Sequence, residues 1–209
     1  MADDDQARTE ILRSVSRETG EKLLYYEAEL KRWQRVKNLV GPNTLGEIWS
    51  RHFADSLQLA HLADGNVWVD LGSGAGFPGL VLAIARPDTL IHLVESDGRR
   101  CAFLRHIARG TEACAKVWHG RIDAVLPTLD PRPQVVTARA LANLSDLIRL
   151  AENVLIESAT GLFPKGRDYA AELTRAALCW RFEADVIPSR VQPDARIIRI
   201  RSFAGSKQS

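Results

Sequence analysis

Cysteine is scarce in this sequence. There are three cysteines, an odd number, and no two of them form a Cys-x-x-Cys pair: Cys101, Cys114 and Cys179. This spacing argues against a disulfide framework and against a thiolate metal site. His52 also lacks a second ligand at the spacing that metal sites use. We therefore expect no bound metal, and a reducing, cytoplasmic environment.

Long apolar runs and an excess of one charge are missing as well. No stretch approaches the roughly 18 apolar residues of a membrane span, and the N-terminus lacks the apolar segment of a signal peptide. The 28 Lys and Arg residues nearly balance the 26 Asp and Glu residues, so composition supports nucleic-acid binding only weakly. We expect a monomer without a membrane partner.

The patterns that are present divide the chain into an extension, a core and a tail. Residues 1–62 carry apolar side chains at helical spacing and predict a helical extension packed on the core. Across residues 63–204, strand-length apolar runs alternate with amphipathic helical patterns. This alternation predicts an α/β fold, a mostly parallel sheet with helices on both faces. Residues 205–209 are predicted to be a disordered tail.

The most informative stretch is VWVDLGSGAGFPG, residues 67–79, in which four glycines follow a predicted strand. In open α/β sheets, ligands bind beyond the carboxyl ends of the strands, and glycine lets them approach the backbone. Gly72 and Gly74 therefore locate a nucleotide-like pocket. Glu95 ends the next predicted strand, where a carboxylate accepts hydrogen bonds from ribose hydroxyls.

Asp70 distinguishes between two adenosyl cofactors for this pocket. A dinucleotide would place its pyrophosphate at the helix start, where a buried carboxylate repels it. S-adenosylmethionine instead brings ammonium and sulfonium cations, which Asp70 would stabilise. S-adenosylmethionine is therefore favoured, while an NAD-dependent oxidoreductase stays open because GAGFPG and Glu95 also fit it. The alternative for Asp70 itself is a helix cap or turn residue.

The segment GRID after the third predicted strand adds two candidates for the same pocket. We expect Ile122 to lie against an adenine face and Asp123 to meet the exocyclic amine. The alternative for Asp123 is a helix cap before the next apolar run.

Cationic side chains at two places are candidate phosphate contacts for RNA. Those before the sheet are Lys37, Arg51 and His52, for which a solvated charged face is the alternative. Lys165 follows the fifth predicted strand, and a strand end would place it on the ligand side of the sheet.

With these pieces assembled, the chain resembles the RsmG family, also called GidB. DLGSGAGFPG resembles the family's D-V/L-G-S/T-G-x-G-L/F-P-G loop, and RHFADSL is similar to R-H-x-x-D-S-L ahead of it. ESDGRRCAFL and TARALANL resemble the segments that follow the second and fourth strands. In WQRVKNLV, Gln34 and Val40 depart from the family pattern, which puts the N-terminal RNA contacts in question.

The resemblance implies a class I methyltransferase fold, Rossmann-like and seven-stranded, that uses S-adenosylmethionine to methylate guanine N7 in 16S rRNA of the small ribosomal subunit. It implies that the cofactor site is lined by Gly72, Phe77, Ile122, Asp123 and Arg139. Arg139 follows the fourth strand and is the candidate catalytic residue between cofactor and base, and the alternative is a surface arginine that pairs with a nearby carboxylate. Guanine N7 has a free lone pair, so no general base is needed. A non-catalytic RNA-binding assembly factor on the same fold remains an alternative.

Overall fold

The N-terminal part of the chain is helical in the structure, a computed structural model that describes residues 2–35, 39 and 42–207. Helix α1 spans Ala2–Ser14 and α2 spans Arg17–Gln34. Ser16 caps α2 by accepting a hydrogen bond from the backbone N–H of Thr19. Lys37 lies outside the described residues, so its expected RNA contact stays a prediction.

The last part of the helical extension consists of three short helical pieces. A 3₁₀ segment over Pro42–Glu47 leads into a π-helical turn over Ile48–Phe53 and then into α3, Ala54–Leu57. The oxygen Oδ1 of Asp4 accepts hydrogen bonds from the backbone N–H groups of Trp49 and Ser50, at 2.9 and 2.8 Å. These bonds from α1 satisfy two backbone donors in the π-helical turn.

A seven-stranded sheet forms the centre of the described chain, in the order β3-β2-β1-β4-β5-β7-β6. Its strands are β1 Val67–Leu71, β2 Leu90–Glu95, β3 Ala115–His119, β4 Val135–Thr137, β5 Thr160–Lys165, β6 Trp180–Pro188 and β7 Arg196–Ser206. Strands β1 to β5 run parallel, and β7 pairs antiparallel with both β5 and β6. The predicted mostly parallel sheet is confirmed.

Helices cover both faces of this sheet. They are α4 Gly79–Ala85, α5 Gly98–Gly110, α6 Ile122–Val125 with a 3₁₀ turn over Leu126–Thr128, α7 Leu144–Leu155 and α8 Tyr169–Cys179. Neighbouring residues of β1 point to opposite faces: Trp68 packs with the N-terminal helices, α4 and α5, while Val69 packs with α7. The switch point of strand order, between β1 and β4, is where such sheets bind ligands.

The C-terminal segment is ordered further than its polar composition suggests. Gly205 and Ser206 belong to β7, and the backbone N–H of Lys207 donates to the carbonyl of Cys179 at 2.7 Å. The prediction of a disordered tail over 205–209 is therefore wrong up to residue 207, because pairing with β6 supplies backbone partners. No helix among the described residues is long and apolar enough to cross a membrane.

Candidate cofactor and substrate site

The carboxyl ends of β1, β2 and β3 open into a cavity of about 380 Å³, called the first cavity below. Gly72, Glu95, Ile122 and Asp123 all line it, as their positions at strand ends predict. Gly72 has a φ of 66°, and a Cβ there would lie 2.8 Å from Cδ1 of Leu141. Glycine is therefore required both by the backbone and by the loop that follows β4.

Glu95 is held in this cavity by two backbone donors. Its Oε2 accepts from the N–H of Gly74 and its Oε1 from the N–H of Asp97, both at 2.8 Å. Each carboxylate oxygen keeps a second lone pair that can accept a further hydrogen bond. Gly74 does not line the cavity itself, so in this structure it serves by fixing Glu95.

Asp123 is exposed at the mouth of the first cavity rather than capping a helix. Arg121 occupies the N-cap position of α6, and Asp123 lies in the first turn. The carboxylate of Asp123 lies 3.3 Å from Nε of Arg121, and both side chains are largely exposed. The arrangement leaves Asp123 available to a ligand.

Asp70 lies beneath the glycine loop and lines neither of the cavities described here. Its side chain is fully buried, and its Oδ2 accepts from the N–H of Gly79, the first residue of α4, at 3.1 Å. Burial raises its pKa to about 7, against smaller opposing effects from this hydrogen bond and from the charge of Arg139. Asp70 thus satisfies a backbone donor at the start of α4, and its expected contact with the cofactor stays a prediction.

We expect Asp70→Asn to change how stability depends on pH. Because the folded-state pKa of about 7 lies above the ordinary 3.8, the folded protein holds a proton that the unfolded chain has lost. The free energy of unfolding of the wild type should therefore fall between about pH 4 and pH 7, and asparagine should abolish this fall. Urea unfolding across that range measures it, and an equal fall in both proteins would contradict it.

The tip of the glycine loop rests on the N-terminal helices. The ring of Phe77 stacks on Tyr26 of α2 and on His52, with centroid separations of 5.6 and 4.6 Å. The hydroxyl of Tyr26 donates to the carbonyl of Ala75 in the same loop. The side chain of Phe77 therefore packs inside the protein and does not line the first cavity.

Arg139 lies where three parts of the fold meet. Its Nη2 donates to Nδ1 of His52 at 2.8 Å, and its Nη1 donates to Oδ2 of Asp55 at 3.2 Å. Its guanidinium carbon lies 5.1 Å from the centroid of the Phe77 ring. His52 and Asp55, both in the RHFADSL segment, thus hold the planar guanidinium at the carboxyl end of β4.

His52 is a neutral partner of Arg139 and not an exposed cation. Burial, followed by the positive charges of Arg139 and Arg51, lowers its pKa to about 3. Because its Nδ1 accepts from Arg139, the ring proton is assigned to Nε2, which has no hydrogen-bond partner among the described residues. A buried neutral imidazole offers phosphate no charge, and the expected phosphate contact from His52 stays a prediction.

A second cavity of about 410 Å³ adjoins the first at the carboxyl ends of β4 and β5. Ala140 lines both cavities, whereas Arg139 lines the second and not the first, so its expected contact with the cofactor stays a prediction. The expected RNA contacts Arg51, His52 and Lys165 also line the second cavity. Arg51 is half-exposed and pairs with Glu47 at 3.3 Å, so its guanidinium is accessible.

Glu172 and Asp55 are two further residues of the second cavity that sequence reasoning missed. Asp55 belongs to the RHFADSL segment, which gave a signal without a role. Glu172 lies in α8 and carries no motif. Its proximity to the cavity depends on the packing of α8 against α7, which no local pattern reports.

Comparison with known proteins points to one family. The sequence profile of GidB, described as rRNA small subunit methyltransferase G, matches residues 19–194. The ribosomal RNA small subunit methyltransferase G of Methylobacterium radiotolerans is 52% identical over 207 residues, covering 98% of each chain. The protein of the same name from Rhodospirillum centenum is 50% identical over 193 residues, covering 91% of this chain and 87% of its own.

Solved structures agree on the fold at much lower identity. A methyltransferase from Geobacter sulfurreducens aligns with a TM-score of 0.58 at 13% identity, covering 85% of this chain and 88% of its own. Cofactor-bound Rv0187 from MTB aligns with a TM-score of 0.60 at 15% identity, covering 88% and 91%. The strand order and these alignments confirm the predicted class I methyltransferase fold.

Proposed function

Since the chain belongs to the GidB family of rRNA small subunit methyltransferase G, we propose that it methylates N7 of a guanine in 16S rRNA, as the sequence resemblance implies. The observation that supports this chemistry is the pair of adjoining cavities that share Ala140, with the preceding residue, Arg139, lining the second of them. One cavity suits an adenosyl cofactor and the other an extruded base. We further propose that the protein works as a monomer in the cytoplasm, where it meets small ribosomal subunits.

The first cavity fits S-adenosylmethionine, which supplies an electrophilic methyl group on a sulfonium when bound. Glu95 keeps free lone pairs for ribose hydroxyls, and Gly72 permits close approach to the backbone. Ile122 offers an apolar surface beside Asp123 for the adenine. Family membership removes the NAD-dependent alternative.

The residues of the chain would act by orientation rather than by proton transfer. Guanine N7 attacks through an in-plane lone pair, so no base must remove a proton first. His52 agrees with this, because its Nδ1 lone pair is engaged by Arg139. Holding a nucleophile and an electrophile in line contributes up to roughly 7–11 kcal/mol in favourable systems. The fixed guanidinium of Arg139 is proposed to supply part of this orientation.

We propose that phosphates of the RNA are bound at the rim of the second cavity. Arg51 is the exposed cation there, and Lys37 precedes it in the sequence. A base reaches such a cavity only after leaving its stack, and backbone contacts hold the strand while it does so.

Labelled methyl transfer tests the proposed activity. Small subunits from a bacterial strain that lacks this methyltransferase should accept methyl groups, and chemical cleavage should locate them at one guanine. Subunits from the parent strain, which are already methylated, serve as the control. Binding of S-adenosylmethionine without any transfer would instead favour the assembly-factor alternative.

A further inference from the structure

The second cavity contains a hydrogen-bond donor and an acceptor side by side. The Nζ atom of Lys165, at the end of β5, lies 2.8 Å from Oε2 of Glu172 in α8. The side chains are only 7% and 18% exposed, and both line the cavity wall. The family resemblance assigns a role to neither residue, and the strand pattern alone makes Lys165 a candidate phosphate contact.

Backbone groups fix both members of this pair. Nζ of Lys165 donates to the carbonyl of Ala142 at 2.6 Å, and Oε2 of Glu172 accepts from the N–H of Leu144 at 2.7 Å. A lysine ammonium has three N–H donors, so one remains after these two contacts. Oε1 of Glu172 has no hydrogen bond to any described residue. The pair therefore keeps one donor and one acceptor for a ligand.

We propose that Lys165 and Glu172 read the edge of the target guanine that carries O6 and N1–H. This inference rests on the proposed function and adds the residues that choose the base. Guanine presents an acceptor, O6, beside a donor, N1–H, which matches an ammonium beside a carboxylate. Adenine presents the opposite order, an amino donor beside the acceptor N1, and would meet two mismatches.

The orientation that this reading imposes also suits the reaction. On guanine, O6 and N7 are neighbours, so a base with O6 at Lys165 turns N7 toward one side of the cavity. Lys165 is tied to Ala142, two residues from Ala140, which lines both cavities. The proposal therefore requires N7 to face the boundary with the first cavity.

A stabilising ion pair does not by itself explain why Lys165 and Glu172 are buried side by side in the cavity wall. Removing two charges from water costs more than an imperfect ion pair returns, so a buried pair is weak evidence of a stabilising role. A pair that lines a cavity and keeps a free donor and a free acceptor suits recognition. A site of this kind discriminates strongly, because a ligand that leaves its buried polar groups without hydrogen bonds binds poorly.

The test compares guanine and adenine at the target position in small subunits reconstituted with synthetic 16S rRNA. Glu172→Gln removes the carboxylate and places an amide N–H where adenine N1 can accept it. We expect the ratio of methyl-transfer rates, guanine over adenine, to fall by about ten-fold or more. Glu157→Gln is the matched control, because it breaks an exposed 2.6 Å pair with Arg132 and should leave the ratio unchanged.

Each result separates the possibilities. Equal slowing of both substrates by Glu172→Gln, or an unchanged ratio, would overturn base reading and make the pair structural. If the wild type transfers no methyl group to guanine-containing subunits, the proposed function itself fails. The double variant K165Q/E172Q leaves no buried charge alone, so it should fold if the single variant does not, and it should lose the preference for guanine.

Discussion

Arg139→Lys is expected to slow methyl transfer by about 100-fold, as misplacement of one orienting group does elsewhere. The guanidinium donates to His52 and Asp55 while stacking on Phe77. A lysine ammonium keeps the charge but has neither the planar fork nor the stacking face. The cationic group at the second cavity would therefore lose its fixed position. Single-turnover transfer of labelled methyl groups to small subunits measures the effect.

A matched control separates orientation from charge. Arg149→Lys alters an exposed ion pair with Asp146 on α7, and we expect transfer at the wild-type rate. The thermal midpoint of each variant shows whether it folds, and calorimetry with S-adenosylmethionine shows whether the cofactor still binds. If Arg139→Lys transferred methyl groups at the wild-type rate, Arg139 would act only through its charge.

Gly79→Ala is expected to lower the free energy of unfolding by about 1–3 kcal/mol, the usual effect of overpacking. A Cβ at Gly79 would lie 2.5 Å from Cδ2 of Leu93 and 2.6 Å from Cβ of Asp70. Both neighbours are buried in strands of the sheet, so neither can move aside cheaply. The start of α4 must shift instead, and the cap from Asp70 would be weakened. Urea unfolding monitored by circular dichroism measures the change.

Gly46→Ala provides the comparison for this substitution. A Cβ at Gly46 would meet nothing within 4 Å, so we expect a change within about 0.5 kcal/mol. Similar unfolding midpoints for the two variants would contradict the steric explanation. Because the displaced turn also carries the glycine loop, affinity for S-adenosylmethionine should fall in Gly79→Ala alone.

The first cavity could be predicted from the sequence because the sheet topology determines which residues line it. The carboxyl ends of parallel strands meet at one edge of the sheet, so Gly72, Glu95 and Ile122 converge although they are far apart in the chain. Their identification needed only the strand pattern and the glycine loop. Arg139 was found through the family resemblance, and its position after β4 is consistent with that.

The contacts that depend on helix packing could not be predicted. The sequence allows Asp70 both a cofactor contact and a helix cap, and it does not show that the side chain is buried and accepts from the N–H of Gly79. His52 looked like a surface cation, yet its position in a π-helical turn buries it beside Phe77. Glu172 joins the second cavity because α8 packs on α7, a tertiary contact that leaves no trace in local spacing.

The stack formed by Tyr26, Phe77 and His52 makes the N-terminal helices part of the foundation of the cofactor loop. Buried side chains of both regions, including Leu23 and Leu80, belong to one continuous apolar cluster. The extension is therefore unlike an appended RNA-binding module that one protein could exchange with another. In a chimera with the N-terminal helices of a distant relative, different side chains would pack against the glycine loop. A substitution at Phe77 in the loop should therefore be tolerated only with a compensating substitution at Tyr26 or His52, which stack on it.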